Sequence, residues 1–231
     1  MLKFTPIFLA IVYALGMYYV SAWRTGKQLD KQSTELADPK LKKLTDRMAT
    51  ALDLPRIKVN IYEVDPVNGL AAPDGRIFIT RGFYRKYQTG EVTAEEMSSV
   101  IAHELGHVAL GHSRRRMIDF SGQNAIRMAL SMILGRFIPV IGVWIANTLT
   151  SLLAARLSRQ DEYEADAYAS ALLTKAGIGT DPQKSLFRKL EGLTGVQVGA
   201  VPAWIMSHPK TDERIAAIEK LEAGWGTPAP R

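Results

Sequence analysis

Hydrophobic and polar positions change their period several times along the chain. After Asp38-Pro39, which reads as a helix start, apolar residues fall at 41, 44, 48 and 52, the spacing of a helix with one buried face. Ile57 to Glu63 alternates apolar and polar, as a half-buried strand does, and Arg76 to Thr80 reads as a second strand led by the turn Pro73-Asp74-Gly75. A short helix near 83–88 follows, and Thr93-Ala-Glu-Glu96 is a capping box that opens a helix running to about residue 114. An acid-rich helical run covers 158–173 and stops at Gly177; further helices are expected over 181–193 and 210–223. The pattern predicts an α+β fold, mostly helical, with a small β-sheet beside the helix that starts at Thr93.

Two longer apolar stretches interrupt this rhythm. Phe4 to Trp23 carries no charge, with Lys3 before it and Arg24 and Lys27 after it, and is long enough to span a bilayer as a helix. Tyr18, Tyr19 and Trp23 suit an interfacial belt, so an uncleaved membrane anchor is expected, with a cleaved signal sequence as the rival. Lys3 favours an exported, periplasmic catalytic domain, whereas Arg24, Lys27 and Lys31 on the far flank argue for retention inside. The second stretch, 117–157, is broken by Asp119, Arg127, Arg136, Gly135, Pro139 and Gly142, and is read as an apolar helical hairpin. The organisation expected is an anchor or signal sequence over 1–23, a linker over 24–37, one catalytic domain over 38–223 with the hairpin at 117–157, and a disordered tail over 224–231.

Composition narrows the partners. Net charge is +6, which suits an anionic membrane surface or nucleic acid. No nucleic-acid module is visible, and aromatics are not interleaved with the scattered basic residues, so no nucleic-acid partner is expected. Cysteine is absent, which excludes disulfides, thiolate metal ligands and a lipoprotein cysteine.

The chemistry concentrates at His103-Glu104-Leu105-Gly106-His107. Histidine is scarce, four in 231 residues, yet two stand four apart, on one face of the helix and one turn from each other. That spacing lets both imidazoles reach one Zn²⁺ at about 2.0–2.1 Å, with Glu104 beside the first histidine free to act as a base. A hydrolytic zinc site needs a third protein ligand and an open position. The pattern in which a third histidine follows closely fails, since Leu110 and Ser113 occupy its glycine and histidine positions, and His112 points about 500° around the helix from His107. An acid on the 158–173 helix is the better candidate. Glu162 and Asp166 share a face there, among the small residues Ala165, Ala167 and Ala169 that let a second helix approach. Glu162 is therefore expected as the third ligand and Asp166 as the acceptor for the other N–H of a ligand histidine. The acids also suit the start of a helix on electrostatic grounds alone.

His103-Glu-Leu-Gly-His107 followed by Glu162 to Asp166 resembles the gluzincin metallopeptidases of the HtpX and CAAX-prenyl endopeptidase type. Two further stretches are similar to that family, Asn68 to Gly82 before the active-site helix and Ser207-His-Pro-Lys-Thr-Asp-Glu-Arg-Ile215 near the C-terminus. The resemblance spans roughly residues 40–222. It implies a zinc-dependent endopeptidase acting on membrane or envelope proteins in quality control, with one Zn²⁺ per chain. Glu104 would serve as general base, and His208 and Arg214 are candidates to steady the developing oxyanion. The stretch Asn68, Gly69, Leu70, Ala71 and Ala72 is the candidate edge that would pair with an extended protein or peptide substrate. The alternative is a zinc-bound chaperone or binding module with little proteolysis.

Overall fold

The computed structural model describes residues 5–72, 74–112, 115, 141–194 and 211–225. They fall into two compact units, one made of Met1–Lys31 with Gly111–Gln160 and the other of Gln32–Leu110 with Asp161–Arg231.

The second unit holds the sheet and most of the helices. Its elements are β1 (Ser33–Glu35), α2 (Pro39–Ala51), β2 (Val59–Tyr62), β3 (Gly69–Ala71), β4 (Ile77–Thr80), α3 (Arg81–Gln88) and α4 (Ala94–Ala109). To these it adds the C-terminal part of α5 (Ile141–Lys175), then α6 (Asp181–Thr194) and α7 (Thr211–Trp225). The sheet order is β1-β2-β4-β3. β2 and β4 run parallel, Val59 opposite Ile77 and Tyr62 opposite Thr80, while β1 and β3 pair antiparallel at the two edges.

Local chemistry explains where the elements begin. The Asp38 carboxylate accepts from the Lys40 and Leu41 amides at 2.9 Å each, and Pro39 supplies a preset φ, so α2 starts there. The expected capping box forms at α4: the Glu96 amide donates to Thr93 Oγ1 at 3.1 Å and the Thr93 amide to Glu96 Oε2 at 2.8 Å. At the start of α3, Gly82 is obligatory, since a Cβ there would lie 1.8 Å from the Asp65 carbonyl oxygen.

β4 is buried along its whole length, as a strand flanked on both edges and covered on its faces must be. The half-buried alternation expected of Ile57–Glu63 does not survive in β2, where Val59, Asn60 and Ile61 are all buried. Asn60 meets the cost of burial by donating to the Ile77 carbonyl at 3.4 Å. Around the sheet, Leu41 and Met48 of α2, Phe83 of α3, Met97 and Ile101 of α4, Leu173 of α5, Leu186 of α6 and Ile218 of α7 form one core. α4 packs on α2, α6, β3 and β4, so the helix bearing the His-Glu-x-x-His sequence is clamped on several sides.

The first unit contains α1 (Thr5–Lys31) and the N-terminal part of α5. The 4–23 stretch expected as a membrane anchor lies mostly in α1, where Leu15, Tyr19 and Trp23 are exposed and the Lys27 ammonium sits 4.1 Å over the Trp23 ring. Among the described residues, no helix is long and apolar enough to cross a membrane. The 24–37 stretch expected as a linker carries the last turns of α1 and the strand β1. Of the expected 117–157 hairpin, residues 117–140 lie outside the described residues and 141–157 belong to α5, continuous with the Glu162 helix. The tail expected over 224–231 begins inside α7, and 226–231 lie outside the described residues.

Candidate metal centre

Helical spacing brings His103 and His107 to the same face of α4, and α5 lays Glu162 across from them. The two Nε2 atoms are 3.1 Å apart; Glu162 Oε2 is 3.3 Å from His103 Nε2 and Glu162 Oε1 is 3.5 Å from His107 Nε2. All three side chains are buried. Donors bonded at 2.0–2.1 Å around a tetrahedral zinc ion stand about 3.3–3.4 Å from one another, so these spacings fit the ion. Two imidazoles and one carboxylate also form a donor set that leaves a fourth position for chemistry.

The close approach of the two helices depends on small residues. A Cβ on Gly106 would come within 3.0 Å of the Ala165 Cα and carbonyl oxygen and 3.3 Å from Tyr168 Cβ. A larger residue at 106 would require α4 and α5 to separate by a few tenths of an ångström.

Behind His103 stands a buried charged relay. Its Nδ1 is 2.9 Å from Asp166 Oδ1, the contact expected of a carboxylate that orients a ligand histidine. In the neutral ring that metal ligation requires, donation from Nδ1 leaves the Nε2 electron pair on the side of Glu162 and His107. Arg214, wholly buried, donates from Nε to Asp166 Oδ2 and from Nη2 to Asp166 Oδ1, each at 2.6 Å. Burial works to lower the pKa of His103, but its bonds to Asp166 and Glu162 outweigh burial and raise it to about 9. Burial works to raise the pKa of Asp166, and the Arg214 guanidinium and His103 hold it below the usual carboxylate range. The pocket thus favours positive charge where the three donors meet.

Glu104 is buried on α4 beside the ligand pair. β3 passes directly over it: a Cβ on Gly69 would lie 3.1 Å from Glu104 Oε1 and 2.7 Å from Val100 Cγ1. Asn68 and Ala72 flank β3 and tie it to β4, with the Thr80 amide donating to the Asn68 carbonyl at 3.0 Å and the Ala72 amide to the Arg76 carbonyl at 2.8 Å. Antiparallel alternation then turns the backbone groups of Gly69 and Ala71 away from β4, and Leu70 between them towards it. Asn68 Oδ1 is buried with no hydrogen-bond partner among the described residues.

Among the residues expected from sequence, His103, Glu104, His107, Glu162 and Asp166 come together, and Gly69 joins them. Arg214 comes to the back of the site, its Nε and Nη2 both engaged with Asp166. His208 lies outside the described residues. Sequence reasoning did not foresee the Arg214–Asp166 fork, nor Phe187, whose ring lies 4.1 Å beneath the Arg214 guanidinium. The spacing between Asp166 and Arg214 carries no helical or strand period that could have announced the pair.

A helix-borne His-Glu-x-x-His pair, a carboxylate from a second helix and an edge strand over the glutamate define a zinc metallopeptidase. Peptidase family M48 matches residues 35–222, and the chain belongs to that family. It is 30% identical to Metalloprotease LoiP of Escherichia coli (strain K12) over 162 residues, 70% of this chain and 61% of LoiP. It is 28% identical to Metalloprotease YcaL of the same organism over 201 residues, 87% of this chain and 76% of YcaL. A Protease HtpX homolog of Salinibacter ruber is 28% identical over 256 aligned positions, 92% of this chain and 87% of that protein.

Proposed function

We propose that this chain is a zinc-dependent endopeptidase that hydrolyses peptide bonds of extended or unfolded protein segments, with His103, His107 and Glu162 holding the metal. The observation that carries the reading is the convergence of those three buried donors at 3.1–3.5 Å, with Glu104 on the same helix. Zinc held by His103, His107 and Glu162 would supply Lewis-acid chemistry, with a bound water of pKa towards ~7 and a polarised scissile carbonyl. Glu104 takes the proton from the attacking water and delivers it to the leaving amine. Asp166 keeps the His103 ring in the orientation and tautomer that ligation needs.

Substrate is held on the outer edge of β3. The β3 edge at Gly69, which passes over Glu104, pairs through its backbone with an extended chain. Main-chain pairing reads little sequence, which suits a quality-control protease of membrane or envelope proteins. Membrane attachment through residues 4–23 is supported by the charge-free stretch and by the exposed Leu15, Tyr19 and Trp23. Lys3 ahead of that stretch favours a periplasmic catalytic domain, and Arg24, Lys27 and Lys31 behind it oppose that orientation.

The test is Glu104→Gln, measured for zinc content and for cleavage of casein. Retained zinc with hydrolysis lost supports the reading. Wild-type protein that carries zinc and cleaves nothing would instead favour a zinc-bound chaperone.

A further inference from the structure

Arg214 is the largest fully buried side chain among the described residues, and the hydrolytic steps do not use it. It reaches the site from α7, while its partner Asp166 lies on α5, the ring beneath it, Phe187, on α6, and the histidine beyond it, His103, on α4. We infer that Arg214 is a positioning residue for zinc, acting through Asp166 on His103 and not by contact with substrate. This rests on the reading of His103 as a ligand.

The geometry carries the inference in three links. First, the guanidinium holds both oxygens of Asp166, Nε on Oδ2 and Nη2 on Oδ1, at 2.6 Å each, which fixes the plane of the carboxylate. A single donor would leave that plane able to turn. Second, Oδ1 is the same atom that meets His103 Nδ1 at 2.9 Å, so the plane of the carboxylate sets the direction of the imidazole. Third, Arg214 is itself immobilised. Its guanidinium lies 4.1 Å over Phe187, and α7 is tied to α5 one residue earlier by the Tyr163 hydroxyl donating to Glu213 at 3.1 Å. A planar fork bonded on one side and stacked on its face cannot be replaced by the point charge of lysine.

An oxyanion donor must point at the reacting carbonyl. In Arg214, Nε and Nη2 are turned to the rear of His103, and Nη2 lies 3.5 Å from the Nδ1 atom, on the far side of the ring from the converging donors. The side chain that the sequence motif offered for transition-state contact is thus built into the support of a ligand.

The experiment is zinc affinity by chelator competition on the full chain, with thermal unfolding of each metal-free variant alongside. Arg214→Lys keeps the charge and loses the fork. Phe187→Leu keeps an apolar side chain and loosens the guanidinium without stranding Asp166, which guards against an Arg214 variant that does not fold. Ile218→Ala, one turn along α7 and buried in the core, is the control for mere packing. Expected is a zinc dissociation constant raised roughly 10–100-fold in Arg214→Lys. Phe187→Leu should show a smaller rise and Ile218→Ala none, even where its melting temperature falls further. Unchanged zinc affinity in folded Arg214→Lys and Phe187→Leu, or an equal loss in Ile218→Ala, overturns the inference. Wild-type protein without a zinc site would overturn the ligand assignment itself, a failure visible before any variant is compared.

Discussion

Gly106 lies against Ala165 so closely that a single added carbon would stand 3.0 Å from the Ala165 Cα and carbonyl oxygen. Both of those atoms are backbone and cannot swing aside. The interval between α4 and α5, and with it the distance from the two histidines to Glu162, is therefore set by the missing side chain of the residue just before His107.

Gly106→Ala should force the two helices apart by a few tenths of an ångström. Overpacking of this kind costs about 1–3 kcal/mol. Denaturant unfolding should show that loss together with weaker zinc binding. Gly224→Ala, where a Cβ would meet nothing within 4 Å, serves as the neutral comparison. Equal behaviour of the two variants would mean that the helix crossing does not limit the site.

Removing the metal should lower stability, because three buried polar side chains then face one another without the ion. A ligand present at 100 times its dissociation constant stabilises a fold by about 2.7 kcal/mol. Protein treated with a zinc chelator should melt at lower temperature and lose hydrolysis, and stoichiometric zinc should restore both. A melting temperature indifferent to chelation would count against zinc being held by His103, His107 and Glu162.

Acid sensitivity should arise at Glu96, away from the metal. This buried carboxylate closes the α4 capping box and also meets Ser185 at 2.7 Å and Lys189 at 2.7 Å. Burial works to raise its pKa, but the bonds from Lys189, Ser185 and the Thr93 amide hold it below the usual glutamate range. A carboxylate whose pKa is depressed on folding contributes stability above its unfolded pKa and loses it as the pH falls through the folded value. Glu96→Gln should thus cost about 1–3 kcal/mol at neutral pH. The gap from wild type should close below about pH 4.5. Urea unfolding of both proteins across that range decides it; a gap that stays constant refutes the assignment.

If substrate pairs with the β3 edge, only every second peptide amide is engaged. N-methylation of one alternating set of amides in an extended peptide substrate should raise KM about tenfold, for the loss of one or two hydrogen bonds. Methylation of the other set should have little effect. Identical responses from the two sets would show that the peptide is not held as an added strand.

The ligand pair and the base were legible in the sequence because they obey a local rule. Four residues make about one helical turn, so His103 and His107 must share a face wherever that helix forms, and Thr93 with Glu96 marks where it starts. Glu162 and Asp166 were legible for the same reason on their own helix. The strands were less so: β2 was visible as an alternating stretch and β4 as a strand led by a turn, but β1 and β3 are three residues each, too short for any period to declare itself. The half-buried pattern of β2 misled because burial of Asn60 depends on the neighbouring strand that accepts its hydrogen bond.

Tertiary structure alone decided what stands across from what. Nothing local relates Gly106 to Ala165, Gly69 to Glu104, or Arg214 to Asp166, since each pair belongs to different elements brought together by the shared core. The sequence by itself determined which side chains could bind zinc and which helices carry them, because periodicity is a property of neighbours. The distance between those helices, the strand laid over Glu104 and the guanidinium locked behind His103 were decided by packing, which acts between residues far apart along the chain.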